Sequence, residues 1–208
     1  MTINCKGNLI DLTSPKIMGI LNITPNSFFD GGKYADENSI LQQVEKMLVD
    51  GATFIDIGAY SSKPNAEYVS ENEEISRLIP VIELILKNFP ETLISVDTFR
   101  ANVAKKAIEN SACIVNDISA GSLDENMMQT VADLQVPYIM MHMRGNPQTM
   151  QSMAQYENIV KEMLFYFSEK VAQARSFGIN DLIIDPGFGF AKTLEQNFEV
   201  MNKLELFQ

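Results

Sequence analysis

The chain has 208 residues, 46% of them hydrophobic and 21% charged, and carries a net charge of −11. This is enough apolar material for one core and one domain, and too ordinary a charge content for wholesale disorder. The acidic balance argues against a nucleic-acid-binding surface, so any anionic substrate must be held by a local cluster of Lys, Arg or backbone N–H groups.

Six short apolar runs read as strands: Lys16–Leu21, Phe54–Ile57, Leu93–Val96, Cys113–Val115, Tyr138–Met141 and Leu182–Ile184. They are nearly continuous, as expected for strands buried on both faces. Helical patterns lie between them. Ile40, Leu41, Val44, Met47 and Leu48 follow helical spacing, with Gly51 just past the end. Ser70 and Glu73 have capping-box spacing ahead of Ile75, Leu78, Ile79 and Ile82, and Pro80 predicts a kink or split in that helix. A short helix follows at Val103–Ile108. The next carries Met127, Met128, Val131 and Leu134, with Asp124 as the expected N-cap. A longer one runs from Ile159 to Ala174 and stops near Gly178. The last opens at Thr193, with Gln196 three residues on.

Strand–helix alternation repeated six times predicts a parallel α/β fold, either a doubly wound sheet or a (β/α)8 barrel. No glycine fingerprint follows the first strand, which disfavours dinucleotide binding. A barrel usually needs about 250 residues, so two units would be missing. Cys5 and Cys113 have neither metal spacing nor a disulfide framework, and Cys113 reads as a small core residue. With no apolar run of membrane-spanning length and no signal peptide, the expected compartment is reducing and cytoplasmic.

Polar residues gather where the strands stop: Asn22, then Ser61–Pro64, Asp97, Asn116, His142 with Arg144, and Asp185. In a barrel this is the active face. Two carboxylates and a carboxamide suit a flat heterocycle with an amidine-like N–H edge, and equally a divalent metal with hard oxygen ligands. The spacing does not choose between them. A Ser–His–Asp hydrolase is disfavoured by there being one His and no serine elbow ahead of a helix, and His142 fits a pocket wall better than a catalyst.

These blocks together resemble the dihydropteroate synthase family of pterin-binding barrels. MGILNITPNSFFDGG and IDIGAYSSKPNA are similar to its first two signatures, and SVDT, the Asn116–Asp117 pair, MHMRGNPQTMQ and DPGFGFAKT match further blocks in order across nearly the whole chain. The resemblance implies a (β/α)8 TIM barrel of which only about the first six βα units are present, as one incomplete domain over residues 1–208. It implies condensation of a pterin CH2–pyrophosphate with p-aminobenzoate, Mg2+ as cofactor, small-molecule substrates, and a homodimer when full length. Asp97, Asn116 and Asp185 match the pterin-binding positions, and Asp97, Asp185 and Asp30 are the expected catalytic carboxylates. Asn22 matches the Mg2+-linked position. Phe28, Ser62, Lys63, Pro64 and Phe190 match the p-aminobenzoate side, where sulfonamides also bind.

The chain departs from the family pattern at several positions. Ser62 and Lys63 stand for the usual Thr and Arg, Asn65 and Ala191 for glycines, Tyr60 for an acidic residue and Asn26 for Asp. Lys63 loses bidentate geometry, and Ala191 is costly if its position needs positive φ. The family's late Ser-Arg-Lys and Arg-x-His motifs do not occur, so the 208-residue chain alone is expected to be inactive and poorly soluble. Two other readings are a pterin-dependent methyltransferase domain, which has no need of the TPNSFFDGG and SSKP loops, and a non-catalytic pterin-binding paralogue.

Overall fold

A computed structural model describes residues 1–23, 33–60 and 68–208. It opens with an antiparallel hairpin absent from the sequence expectation, β1 (Thr2–Cys5) and β2 (Asn8–Asp11), with Cys5 opposite Asn8. Lys6 and Gly7 both have positive φ, 54° and 83°, the backbone a two-residue hairpin turn requires. Six parallel strands follow in sequence order: β3 (Ile17–Asn22), β4 (Ala52–Gly58), β5 (Leu93–Asp97), β6 (Ile114–Asp117), β7 (Tyr138–Met141) and β8 (Leu182–Asp185). All six predicted strands are present, each within a few residues of its expected bounds.

Between them run α1 (Lys33–Val49), α2 (Glu71–Asn88), α3 (Ala101–Glu109), α4 (Met127–Leu134), α5 (Ile159–Ser176) and α6 (Leu194–Met201). Ser70 accepts from the Glu73 N–H at the start of α2, and Thr193 with Gln196 forms a complete capping box on α6. One expectation is narrowed and one is corrected. Pro80 does not split α2, which continues through it. Leu78, Ile82 and Ile85 on either side are buried to 1% exposure or less, and that packing outweighs the one lost backbone bond. Asp124 does not cap α4, whose N-cap is Asn126. Its carboxylate instead accepts from the N–H groups of Asn126 and Ala101, so it caps the neighbouring helix α3.

Alternate strand residues face opposite sides of the sheet. Leu21, Ile55, Ile57, Ile94, Val96, Val115 and Met140 pack outward against helix residues such as Val44, Leu78, Ile82 and Val131, forming the main core. On the inner side at the N-terminal end, Phe54, Ile114 and Ile139 pack with Ile3 and Cys5 of the hairpin and with Cys113. Both cysteines are free and buried. The hairpin therefore plugs one end of the sheet with apolar side chains, leaving polar inner positions for the other end. β3 and β8 end the sheet and are not paired with each other, and on β3 Ile17 is 59% and Ile20 66% exposed. No helix among the described residues is long and apolar enough to cross a membrane.

Candidate active site

The site grows from the C-terminal ends of adjacent strands. Asn22 is the last residue of β3, Gly58 of β4, Asp97 of β5 and Asp185 of β8, and Asn116 is the penultimate residue of β6. Register brings them level: Asn22 lies opposite Gly58, Gly58 opposite Asp97, and Asp97 opposite Asn116. Gly58 is required by crowding. A Cβ there would stand 3.0 Å from Asp97 Oδ2 and 3.4 Å from Asn22 Oδ1, so the missing side chain is what lets these two oxygens approach across one strand.

One layer deeper lies Asp56 on β4, a residue that reasoning from strand ends misses. It is 5% exposed, and its Oδ2 accepts from Asn116 Nδ2 at 3.0 Å. A carboxylate only accepts, so the Asn116 amide must turn its NH2 to Asp56 and keep its carbonyl oxygen as an acceptor. Asp56 Oδ1 makes no hydrogen bond of ordinary geometry, although the Ser95 hydroxyl is near enough to favour its charged form. Burial, and then the nearby charge of Asp185, raise the proton affinity of Asp56. Burial also raises Asp97 well above the usual carboxylate range, helped by the charges of Asp56, Glu74 and Asp117. Asp185 is steadied by one bond from the Gly187 N–H to its Oδ1, 2.8 Å long. Among the described residues no Lys or Arg forms an ion pair with any of the three carboxylates. Among the described residues this group of acceptors is short of N–H donors and of paired positive charge, and it suits a ligand that brings both.

Asp117, next to Asn116, points the other way. It accepts from Ser119, Gly121 and the Tyr138 hydroxyl, a buried network on the helix side that shapes the turn after β6. Phe190 is half-buried and packs with Phe99 on Ile118, Met141, Met143 and Met150, an apolar wall beside the carboxylates. Phe28, Asp30, Ser62, Lys63 and Pro64, like Asn26 and Asn65, lie outside the described residues. Tyr60 makes an edge contact with Phe99, ring centres 5.1 Å apart, and lies under the Arg100 guanidinium at 5.3 Å. Arg100 pairs with Glu74, which also accepts from the Thr98 hydroxyl at 2.7 Å, so the residues following Asp97 are tied to α2.

His142 and Arg144 do not join the carboxylates. His142 is 2% exposed, with its Nδ1 3.0 Å from Lys192 Nζ, and burial together with the Lys192 and Arg144 charges lowers it to about 3. Arg144 pairs with Glu162 at the start of α5 and donates to the Gln155 carbonyl. For a divalent metal, the described residues contain no cluster of three or more His, Cys, Asp or Glu side chains. The Asn22 carboxamide oxygen, exposed at a strand end beside Asp97, is a hard donor of the kind Mg2+ accepts when substrate phosphates and water complete its shell, so the residues present fit that ion.

Residues 18–208 match the pterin binding enzyme family. The chain belongs to the pterin-binding enzyme family. This pterin-binding chain is 41% identical over its full length to the dihydropteroate synthase of Haemophilus influenzae, covering 75% of that protein. It is 46% identical to an Arabidopsis thaliana folate synthesis bifunctional protein, over 90% of the chain but only 40% of that much longer relative. A solved structure of Yersinia pestis dihydropteroate synthase with a sulfonamide drug complex superposes with a TM-score of 0.90 at 36% identity, covering all of this chain and 75% of the other. The pterin-binding fold thus accounts for the six parallel βα units, and the chain spans three quarters of relatives whose structures it matches.

Proposed function

We propose that this protein is a dihydropteroate synthase, joining 6-hydroxymethyl-7,8-dihydropterin pyrophosphate to p-aminobenzoate with release of pyrophosphate. The observation that carries the reading is the uncompensated set of Asp56, Asp97 and Asp185 around an Asn116 locked with its oxygen free to accept. The N–H edge of a pterin supplies the donors that this set lacks. Breaking the bond between the CH2 carbon and the pyrophosphate oxygen leaves positive charge on the pterin, and Asp97 and Asp185 are already in place to stabilise it without reorganisation. The lone pair of the p-aminobenzoate nitrogen then forms the new C–N bond, and the nitrogen releases one proton. No protein nucleophile is needed. The apolar wall of Phe190, Met141 and Met150 excludes water, which would otherwise take the place of the amine.

Asn22, with Asp30, would hold Mg2+, which neutralises charge on the departing pyrophosphate. Ser62, Lys63, Pro64 and Phe28 would complete the p-aminobenzoate side together with Phe190, and sulfonamides would compete there. The reading extends to a cytoplasmic enzyme that is a homodimer when full length.

The test is product formation by the full-length gene product. With both substrates and Mg2+ it should form 7,8-dihydropteroate and pyrophosphate, and Asp97→Asn should abolish turnover. Methyl transfer from methyltetrahydrofolate, or tight pterin binding with no turnover, would overturn the proposal.

A further inference from the structure

Lys192 is the one buried lysine among the described residues, 9% exposed, and its amino group makes no ion pair. Its Nζ lies 2.9 Å from the Gly187 carbonyl, 2.9 Å from the Phe190 carbonyl, 3.3 Å from the His142 carbonyl and 3.0 Å from His142 Nδ1. All of these acceptors belong to His142, the residue just after β7, or to the loop that follows β8. Burying an amino group is unfavourable unless its donors are satisfied, and here three backbone carbonyls and the His142 ring nitrogen satisfy them from two loops. The loop between is strongly bent. Gly187 and Gly189 have positive φ, and so does Ala191 at 48°, which turns the chain back so that Lys192 lies beneath the loop it follows. A Cβ at Gly187 would stand 2.5 Å from the His142 carbonyl, so the two loops are already in contact there.

The same peptide units serve the site. Gly187 offers its carbonyl to Lys192 and its N–H to Asp185 Oδ1. The backbone N–H of His142 donates to the Asp185 carbonyl at 2.9 Å. Phe190, whose carbonyl Lys192 also holds, supplies the aromatic wall. From this geometry we infer that Lys192 is a positioning residue, fixing the Asp185 carboxylate through the Gly187 peptide and the Phe190 ring through its own carbonyl. It touches no substrate. The inference rests on the pterin-transfer reading, because it assigns the lysine's effect to the pterin-facing carboxylate.

A double-mutant cycle in the full-length protein separates this role from mere structural support. Lys192→Met should lower kcat/KM for the pterin pyrophosphate on the order of tenfold, since small displacements of a positioned group carry large rate penalties. In an Asp185→Asn background the same change should cost less than about twofold, because the group it acts through is already disabled. Lys192→Gln, which keeps one amide donor for the Gly187 carbonyl, should recover part of the loss. It also carries the cycle if the Met variant does not fold. Equal losses in both backgrounds, or a lowered melting temperature with unchanged kinetics, would overturn the inference alone. An Asp185→Asn protein with unaltered pterin kinetics would instead overturn the pterin-transfer reading beneath it.

Discussion

Acidification singles out one group. The chain has a single histidine, His142, whose ring is buried, packed edge-on against Tyr166 with ring centres 4.9 Å apart and facing the Lys192 amino group. Burial first, and then the charges of Lys192 and Arg144, lower its proton affinity to about 3 from an ordinary 6.5. An unfolded chain takes up this proton near pH 6.5 and the folded chain does not until about pH 3. Between those values the unfolded state binds more protons, so stability is fully present above pH 6.5 and is lost as pH falls. The whole interval corresponds to about 5 kcal/mol, and the drop from pH 7 to pH 4.5 to about 3 kcal/mol. Asp56, Asp97, Glu74 and Asp117 have raised proton affinities and act in the opposite sense, gaining relative stability on acidification. The measurement must therefore be differential. Urea unfolding at pH 7 and pH 4.5 is compared for the parent and His142→Gln, and only the parent should carry the extra loss of about 3 kcal/mol. NMR of the lone imidazole gives the direct check, with a neutral ring whose Nδ1 accepts from Lys192 and whose Nε2 carries the proton throughout pH 5–8. A resonance titrating near 6.5, or an equal pH slope in the variant, would refute the reasoning.

Three further outcomes follow from the same structure. Asp97→Asn should stabilise the fold by about 1 kcal/mol in thermal or urea unfolding while removing pterin binding, because it discharges a half-buried carboxylate crowded by like charges. Ala191→Gly should add about 1 kcal/mol, since φ of 48° strains any residue with a Cβ, and an unchanged melting temperature would count against that strain. Arg100→Met should destabilise by about 3 kcal/mol, leaving Glu74, 1% exposed, with no cation; adding Glu74→Gln should return much of that loss.

Much of the fold was readable because each βα unit announces itself locally. The six inner strands are apolar runs, and Ser70 and Thr193 mark helix starts that the backbone then uses. Asn22, Asp97, Asn116 and Asp185 were readable for a related reason, as each stands where an apolar run stops. What was hidden depends on contacts across the sheet. The β1–β2 hairpin turns on Lys6-Gly7, with no strong turn signal, and its short strands bury only part of one face. Asp56 sits inside an apolar run and looks like an interruption until the pleat places it beside Asn116. Lys192 looks like a solvent-facing loop lysine because its acceptors are carbonyls, which carry no sequence signature.

The hidden residues also decide the chemistry. Asn116 alone could offer a ligand either end of its amide. Asp56 removes that freedom by accepting from the NH2, which leaves an acceptor beside two more acceptors, Asp97 and Asp185. A partly buried group of like partial charges, with no Lys or Arg paired to it among the described residues, is unfavourable by itself. It becomes favourable only with a ligand that is rich in N–H donors and gains positive charge during the reaction. On the proposed function, this arrangement is complementarity to the transition state carried by the resting protein, at a local cost in stability that Asp97→Asn should relieve.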